Sequence, residues 1–266
     1  MNFNFFKKNG YQLFKYAVYL SVFTNVFLFL QKDIAASAHR FGGDFSIVQI
    51  FEAYTNTVDT ASWVILLILF ELETYIIPKD KIVGWISLLF RGLTVACFLV
   101  IFSSFLGYIE GFKWLQSYEK APINNLCEVV GQSWMIELDE FKTIEEKSCK
   151  DLAKGKTFFL HQEKSVYTDN YFLKETNWLA SIDVANSMSW LLIVFLLEID
   201  LLLGRGRKQG TILKKLSFLL KNLLYMVLLF CAIYWGIYGD FLEFWDAFLW
   251  IVAFVFIELN LLKWGR

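Results

Sequence analysis

Two prolines, two histidines and four cysteines are all that this 266-residue sequence contains of those types. Both prolines, Pro78 and Pro122, fall between the long apolar runs, so no run is broken at its centre. The histidines, His39 and His161, are far apart, and no two cysteines form a CxxC pair, so no metal-site spacing is present. P-loop, GxGxxG, HExxH and GxSxG motifs are all missing. These absences remove the motif-bearing enzyme classes. The expectation is a protein that is not an enzyme, with no cofactor and no metal. His161 near Glu163 is the weakest exception, and a solvated polar loop accounts for it. Charge is scarce too, at 19% of residues with a formal balance of −1. That leaves too little polar surface for a water-soluble body and no reason to expect a nucleic-acid partner.

What the chain has is apolar and aromatic bulk, 57% and 19% of residues. Six apolar runs stand out, near residues 11–30, 59–77, 84–108, 183–203, 216–237 and 246–262. Each approaches the roughly 20 residues that cross hydrocarbon as a helix. The expected fold is therefore an all-α integral membrane protein with six transmembrane helices. Its partner by composition is the lipid bilayer. Residues 1–108 would hold helices one to three, 109–180 a polar loop subdomain, and 181–266 helices four to six. The first run also has the basic flank and small-residue triplet Ala36-Ser37-Ala38 of a signal peptide. It shares an internal basic residue with helices three and five, and is read as a retained span.

Lys and Arg set the orientation. Lys7, Lys8, Lys79, Lys81, Arg205, Arg207, Lys208, Lys214, Lys215, Lys263 and Arg266 fall on one side of a six-span topology; the other side has Lys32 and Arg40 in its short loops. Both termini are expected in the cytoplasm, in a bacterial inner or plasma membrane, with loop 109–180 extracytoplasmic. Cys127 and Cys149 lie in that loop, and an oxidising compartment favours their pairing. The charges between them, including Glu137, Asp139, Glu140, Glu145 and Glu146, suggest a short surface helix. Cys97 and Cys231 fall inside apolar runs and are expected to be buried thiols.

One spelling recurs. DTASWVILLILFELE begins at Asp59, NSMSWLLIVFLLEID at Asn186, and DAFLWIVAFVFIELN at Asp246. Each has Asp or Asn, Trp four residues on, and Glu eight after that: Asp59, Trp63, Glu71; Asn186, Trp190, Glu198; Asp246, Trp250, Glu258. Glu73, Asp200 and Asn260 follow two residues later. Helices one, three and five each place a cation, Lys15, Arg91 and Lys221, at a matching depth. The reading is three repeated helical hairpins about a pseudo-threefold axis, with a disulfide-closed insertion between helices three and four. A charge at the bilayer centre costs about 2.5 to 3.5 kcal/mol, and Lys15–Glu71, Arg91–Glu198 and Lys221–Glu258 pairs would reduce that cost. A two-residue step turns a helix by about 200°, so Glu71 and Glu73 should point to different sides. Asp59, Asn186 (or Asp183) and Asp246 suit helix N-caps, and the three tryptophans suit an interfacial belt. The competing reading is an outer vestibule lined by the tryptophans.

Two functions compete. Repetition and intramembrane charge suggest a small-solute or ion transporter or channel. Aromatic bulk and an outward disulfide-closed loop suggest a non-catalytic structural or assembly subunit, with other membrane subunits as partners. The sequence favours transport narrowly, because three matched sets of charges exceed what lipid-facing helices need.

Overall fold

The computed structural model describes residues 3–41, 53–77, 83–138, 140–161, 165–204 and 211–264, apart from the side chains at 3–9, 11, 40–41, 74–75, 197–198, 200–204, 211–212, 214 and 255–264. Within these residues the chain is mostly helical. Its helices are α1 (Phe3–Phe41), α2 (Thr55–Glu71), α3 (Trp85–Leu115), α4 (Asn170–Gly204), α5 (Thr211–Tyr238) and α6 (Phe241–Trp264). A wider π turn, Leu72–Ile76, follows α2 directly. Among the described residues, four stretches are long and apolar enough to cross a membrane: Gln12–His39, Trp85–Leu115, Asn170–Leu196 and Lys215–Tyr238. At 17 residues α2 is about 26 Å long, short of the roughly 30 Å of hydrocarbon. The expectation of apolar, membrane-compatible helices thus holds for four of them.

The expectation of an all-α chain does not hold. The segment between α3 and α4 forms five strands: β1 (Tyr118–Lys120), β2 (Ser133–Glu137), β3 (Glu140–Thr143), β4 (Phe158–His161) and β5 (Val166–Asp169). They make one sheet in the order β1-β4-β5-β2-β3. All neighbours are antiparallel except β2 with β5, which run parallel. Where a surface helix was expected between the cysteines, the chain instead turns through Leu126–Val129 and then pairs β2 with β3.

Two compact units divide the chain. The first comprises residues 26–184. Here α2 and α3 approach closely because Gly107 has no side chain; a Cβ there would come within 2.6 Å of Thr55 Oγ1. Strand alternation sends successive residues of β2 to opposite faces. Trp134 packs with Leu126, Ile144, Cys149 and Phe158, while Met135 packs with Leu115, Tyr118, Val166 and Ala180. The sheet is thus covered on one face by the segment that the disulfide closes, and on the other by the ends of α3 and α4. Two threonines fasten β2 further: Thr168 Oγ1 donates to Met135 O and Thr176 Oγ1 to Ile136 O, both at 3.1 Å.

The second unit comprises residues 1–25 and 185–266. Its α5–α6 connection is tight. The Gly239 N–H donates to Trp235 O at 3.0 Å, and Asp240 Oδ1 accepts the Leu242 N–H at 3.3 Å. Trp190 of α4 and Trp250 of α6 both meet Phe254, at ring separations of 4.6 and 6.5 Å. Exposure differs among the helices. Leu88, Val95, Leu99 and Phe102 of α3, and Phe218, Met226, Phe230 and Ile237 of α5, are exposed apolar side chains. Such runs are stable in lipid, where every backbone group is satisfied within the helix.

Candidate functional site

Three even-numbered helices begin on a carboxylate, and in no case is it the residue the recurring spelling suggested. Asp33 of α1, buried, accepts the Thr57 N–H at 3.0 Å and the Thr57 hydroxyl at 2.6 Å, so it serves the first turn of α2 from another helix. Asp169 receives the Tyr171 and Phe172 N–H groups at 2.8 and 2.9 Å at the start of α4. Asp240 accepts the Leu242 N–H at 3.3 Å at the start of α6. Asp59, Asn186 and Asp246 all lie inside their helices, because each helix starts earlier than its apolar run. Capping therefore does not explain them. The interfacial belt is corrected in the same way. Trp63, Trp190 and Trp250 are each less than a tenth exposed, so they pack inside the protein.

Asp246 instead holds a polar contact within the apolar body. The Asn25 side-chain amide donates to its Oδ1 at 2.7 Å, and Trp250 hydrogen-bonds the same carboxylate. Asn25 is 1% exposed. Asn186 Oδ1 is buried with no hydrogen-bond donor among the described residues. The i, i+4 step that links Asp246 to Trp250 places both on one helix face.

The charges expected as pairs differ in burial from one set to another. Lys15 and Glu71 are each 5% exposed, whereas Arg91 and Glu73 are exposed and Lys221 is half-buried. The contrast between Glu71 and Glu73 is what their 200° separation requires. Lys15 Nζ lies 4.7 Å from the Tyr16 ring centre and 5.6 Å from that of Tyr19, a cation–π arrangement suited to a desolvated ammonium. The side chains of Glu198, Asp200, Glu258 and Asn260 lie outside the described residues. Among those described, no group of three or more His, Cys, Asp or Glu is placed to hold a metal ion.

The cysteine expectations are met. Cys127 and Cys149 form a disulfide, and Cys97 and Cys231 are buried thiols outside any disulfide. The sheet domain is tied to α4 by one carboxylate. Asp169, fully buried, accepts the Lys154 and Gly155 N–H groups through Oδ2, both at 2.7 Å, and the two helix N–H groups through Oδ1. Asn170 Oδ1 adds the Lys156 and Thr157 N–H groups at 3.1 and 3.2 Å. Both histidines belong to a ring cluster in this unit. His161 stacks on Trp114 at 4.6 Å, Trp114 meets Phe141 edge-on, and Phe141 stacks on His39, which also bonds Ser133 Oγ at 3.0 Å. His161 is thus part of a packed core, and His39 lies half-buried at the edge of the same cluster.

Where α3 ends and α4 begins, the surface opens into a groove of about 440 Å³. Its main wall is a single stripe of α4: Asn170, Leu173, Lys174, Asn177, Trp178 and Ser181. Those positions follow the i, i+3, i+4 spacing of one helix face. Phe112 and Gln116 of α3 face it, and Phe159 of β4 closes one end. The Gln116 amide donates to Asn177 Oδ1 at 2.6 Å and bridges the two helices. Sequence reading missed this groove because Lys174 and Glu175 placed the segment in the polar loop. The stripe itself was the available signal.

Compared with protein-family models, with curated proteins and with solved structures, the chain matches none.

Proposed function

We propose that this is a non-catalytic membrane subunit that works by presenting its disulfide-closed sheet domain to a partner outside the cytoplasm. The observation that carries this reading is the anchoring of that domain. A buried carboxylate with four backbone N–H donors fixes the 154–155 loop to the first turn of a membrane-length helix. Such a platform transmits little independent motion and suits a docking role. The Lys and Arg bias supports an extracytoplasmic position for it, with both termini in the cytoplasm of a bacterial inner membrane. Strand β3 lies at a sheet edge with Glu140 and Lys142 exposed, a charged edge that discourages indiscriminate strand pairing and can select a partner.

The test is co-purification of the full chain from its native membranes in mild detergent, with and without the charge reversals Glu140→Lys and Lys142→Glu. A stoichiometric partner that is lost in the double variant supports the reading. A chain that elutes alone in both forms opposes it.

The second reading is transport, and one observation favours it: the buried Asn25–Asp246–Trp250 contact. Ionisable groups inside spanning helices mark ion and proton pathways as a class. Three hairpins around a common axis would supply such a path. Reconstituted liposomes carrying pH- and cation-sensitive dyes test it; flux that Asp246→Asn abolishes would favour transport over docking.

A further inference from the structure

We propose that the groove between the end of α3 and the start of α4 is a binding site for the headgroup and upper acyl chain of an anionic phospholipid, in the leaflet on the sheet-domain side. The proposal does not depend on the sheet domain meeting a protein partner. It rests on three observations.

First, the walls are membrane helices. Phe112 and Gln116 lie at the end of the Trp85–Leu115 helix, and the α4 stripe opens the Asn170–Leu196 stretch; both stretches qualify as spans. The groove therefore lies at the sheet-domain ends of two membrane-length helices, where a lipid headgroup would be met.

Second, its lining is graded in the direction a lipid requires. Asn170 and Lys174 lie in the first turns of α4, next to the sheet domain. Trp178 lies one turn beyond Lys174, further along the span, with Leu173 and Phe112 completing an apolar wall. From Asn170 to Ser181 the stripe runs about 16 Å, enough for a headgroup and the first part of an acyl chain. Trp178 is 56% exposed despite its size. An indole with an apolar body and an N–H donor is favoured at this depth.

Third, the charge selects the ligand. Among the described residues, Lys174 is the one charged residue lining the groove. The nearest acid on α3, Glu110, is held by Lys113 at 2.6 Å, which leaves Glu175, on the adjoining face of α4, as the opposing charge in that helix turn. Lys174 offers an ammonium to a phosphate, one helical turn from Asn170 on the same face of α4. A zwitterionic lipid brings its own cation and gains less.

The experiment uses the purified full chain in neutral detergent, with thermal melting followed as lipid is added. Dioleoyl phosphatidylglycerol, dioleoyl phosphatidylcholine and inorganic phosphate are titrated separately. The expected result is a saturable rise in Tm with phosphatidylglycerol, a smaller one with phosphatidylcholine, and none with millimolar phosphate. Lys174→Gln should weaken the phosphatidylglycerol response by about fivefold, the loss of one lysine at a lipid surface. Lys174→Arg should keep it. Because Lys174 is exposed, its variants should melt like the native chain without lipid, so a folding defect is separable. Trp178→Ser should weaken the response to both lipids. Equal responses to the two lipids, or an unchanged response in Lys174→Gln, would overturn the proposal. A phosphate response matching that of phosphatidylglycerol would assign the groove to a free anion and overturn it too.

Discussion

Asn25 donates its side-chain amide to Asp246 Oδ1 at 2.7 Å and so joins α1 to α6, residues 221 apart in sequence. The buried side chains described along α6 beside Asp246 are hydrophobic: Ala247, Leu249, Trp250, Ala253 and Phe254. Replacing Asn25 by Ala leaves a buried carboxylate short of a donor, and should cost about 1–3 kcal/mol. A double-mutant cycle with Asp246→Asn should return a smaller coupling, about 0.6 to 1.7 kcal/mol, as for polar pairs between membrane helices generally. Unfolding in mixed detergent measures both. A coupling near zero would mean that the contact does not hold the helices together.

Asp169 should be the most sensitive position of the sheet domain. Asp169→Ala leaves four backbone N–H groups without their acceptor, and the loss should reach about 3 kcal/mol or more. Asp169→Asn should fall between, because an amide keeps one acceptor oxygen and turns a donor toward two N–H groups. Limited proteolysis reads the effect directly, with cleavage near residues 150–157 accelerating in the order native, Asn, Ala.

Gly107 permits the close approach of α3 to α2. Gly107→Leu should destabilise the pair by about 1–3 kcal/mol through overpacking. The contact is with Thr55. Thr55→Ala should therefore restore part of the stability when combined with Gly107→Leu, while being neutral or slightly destabilising alone. If no rescue occurs, the crowding lies elsewhere.

The Cys127–Cys149 disulfide closes a 22-residue separation. Its removal by Cys127→Ser with Cys149→Ser should cost about 3 kcal/mol on the chain-entropy argument. The loss should be confined to the sheet domain. Near-ultraviolet signals from Trp134, which packs against Cys149, should weaken, while helical far-ultraviolet signal persists. A loss of helix content on reduction would show that the sheet domain supports the spans.

The apolar runs and the disulfide were legible in the sequence because each depends on local composition or on two residues alone. The sheet was not. Its strands are three to five residues long, too short for alternation to be told from helical spacing, and β1 finds its partner β4 about 40 residues later. The helix starts were misplaced for a related reason. Asp33 caps α2 from across a helix–helix contact, and no local pattern around Thr57 announces it. The α4 stripe hid behind Lys174 and Glu175, whose charges resemble a loop until the helix face is drawn. The shared Asp-Trp-Glu spelling suggested interfacial or vestibule roles for Trp63, Trp190 and Trp250, whereas all three are buried, because packing between elements decides their exposure and no local pattern records it.

The strand order β1-β4-β5-β2-β3 also sets a schedule for synthesis. A chain emerging from its N-terminus delivers Cys127 and Cys149 before β4 exists. The cross-link and the β2–β3 hairpin can therefore form first, on a fragment whose β1 has no neighbour. The sheet becomes continuous only when residues 158–169 arrive and fill the gap between β1 and β2, and the next residues to emerge begin α4. Closure of the sheet and the start of α4 thus follow one another directly in synthesis, and both cysteines are available for oxidation before either.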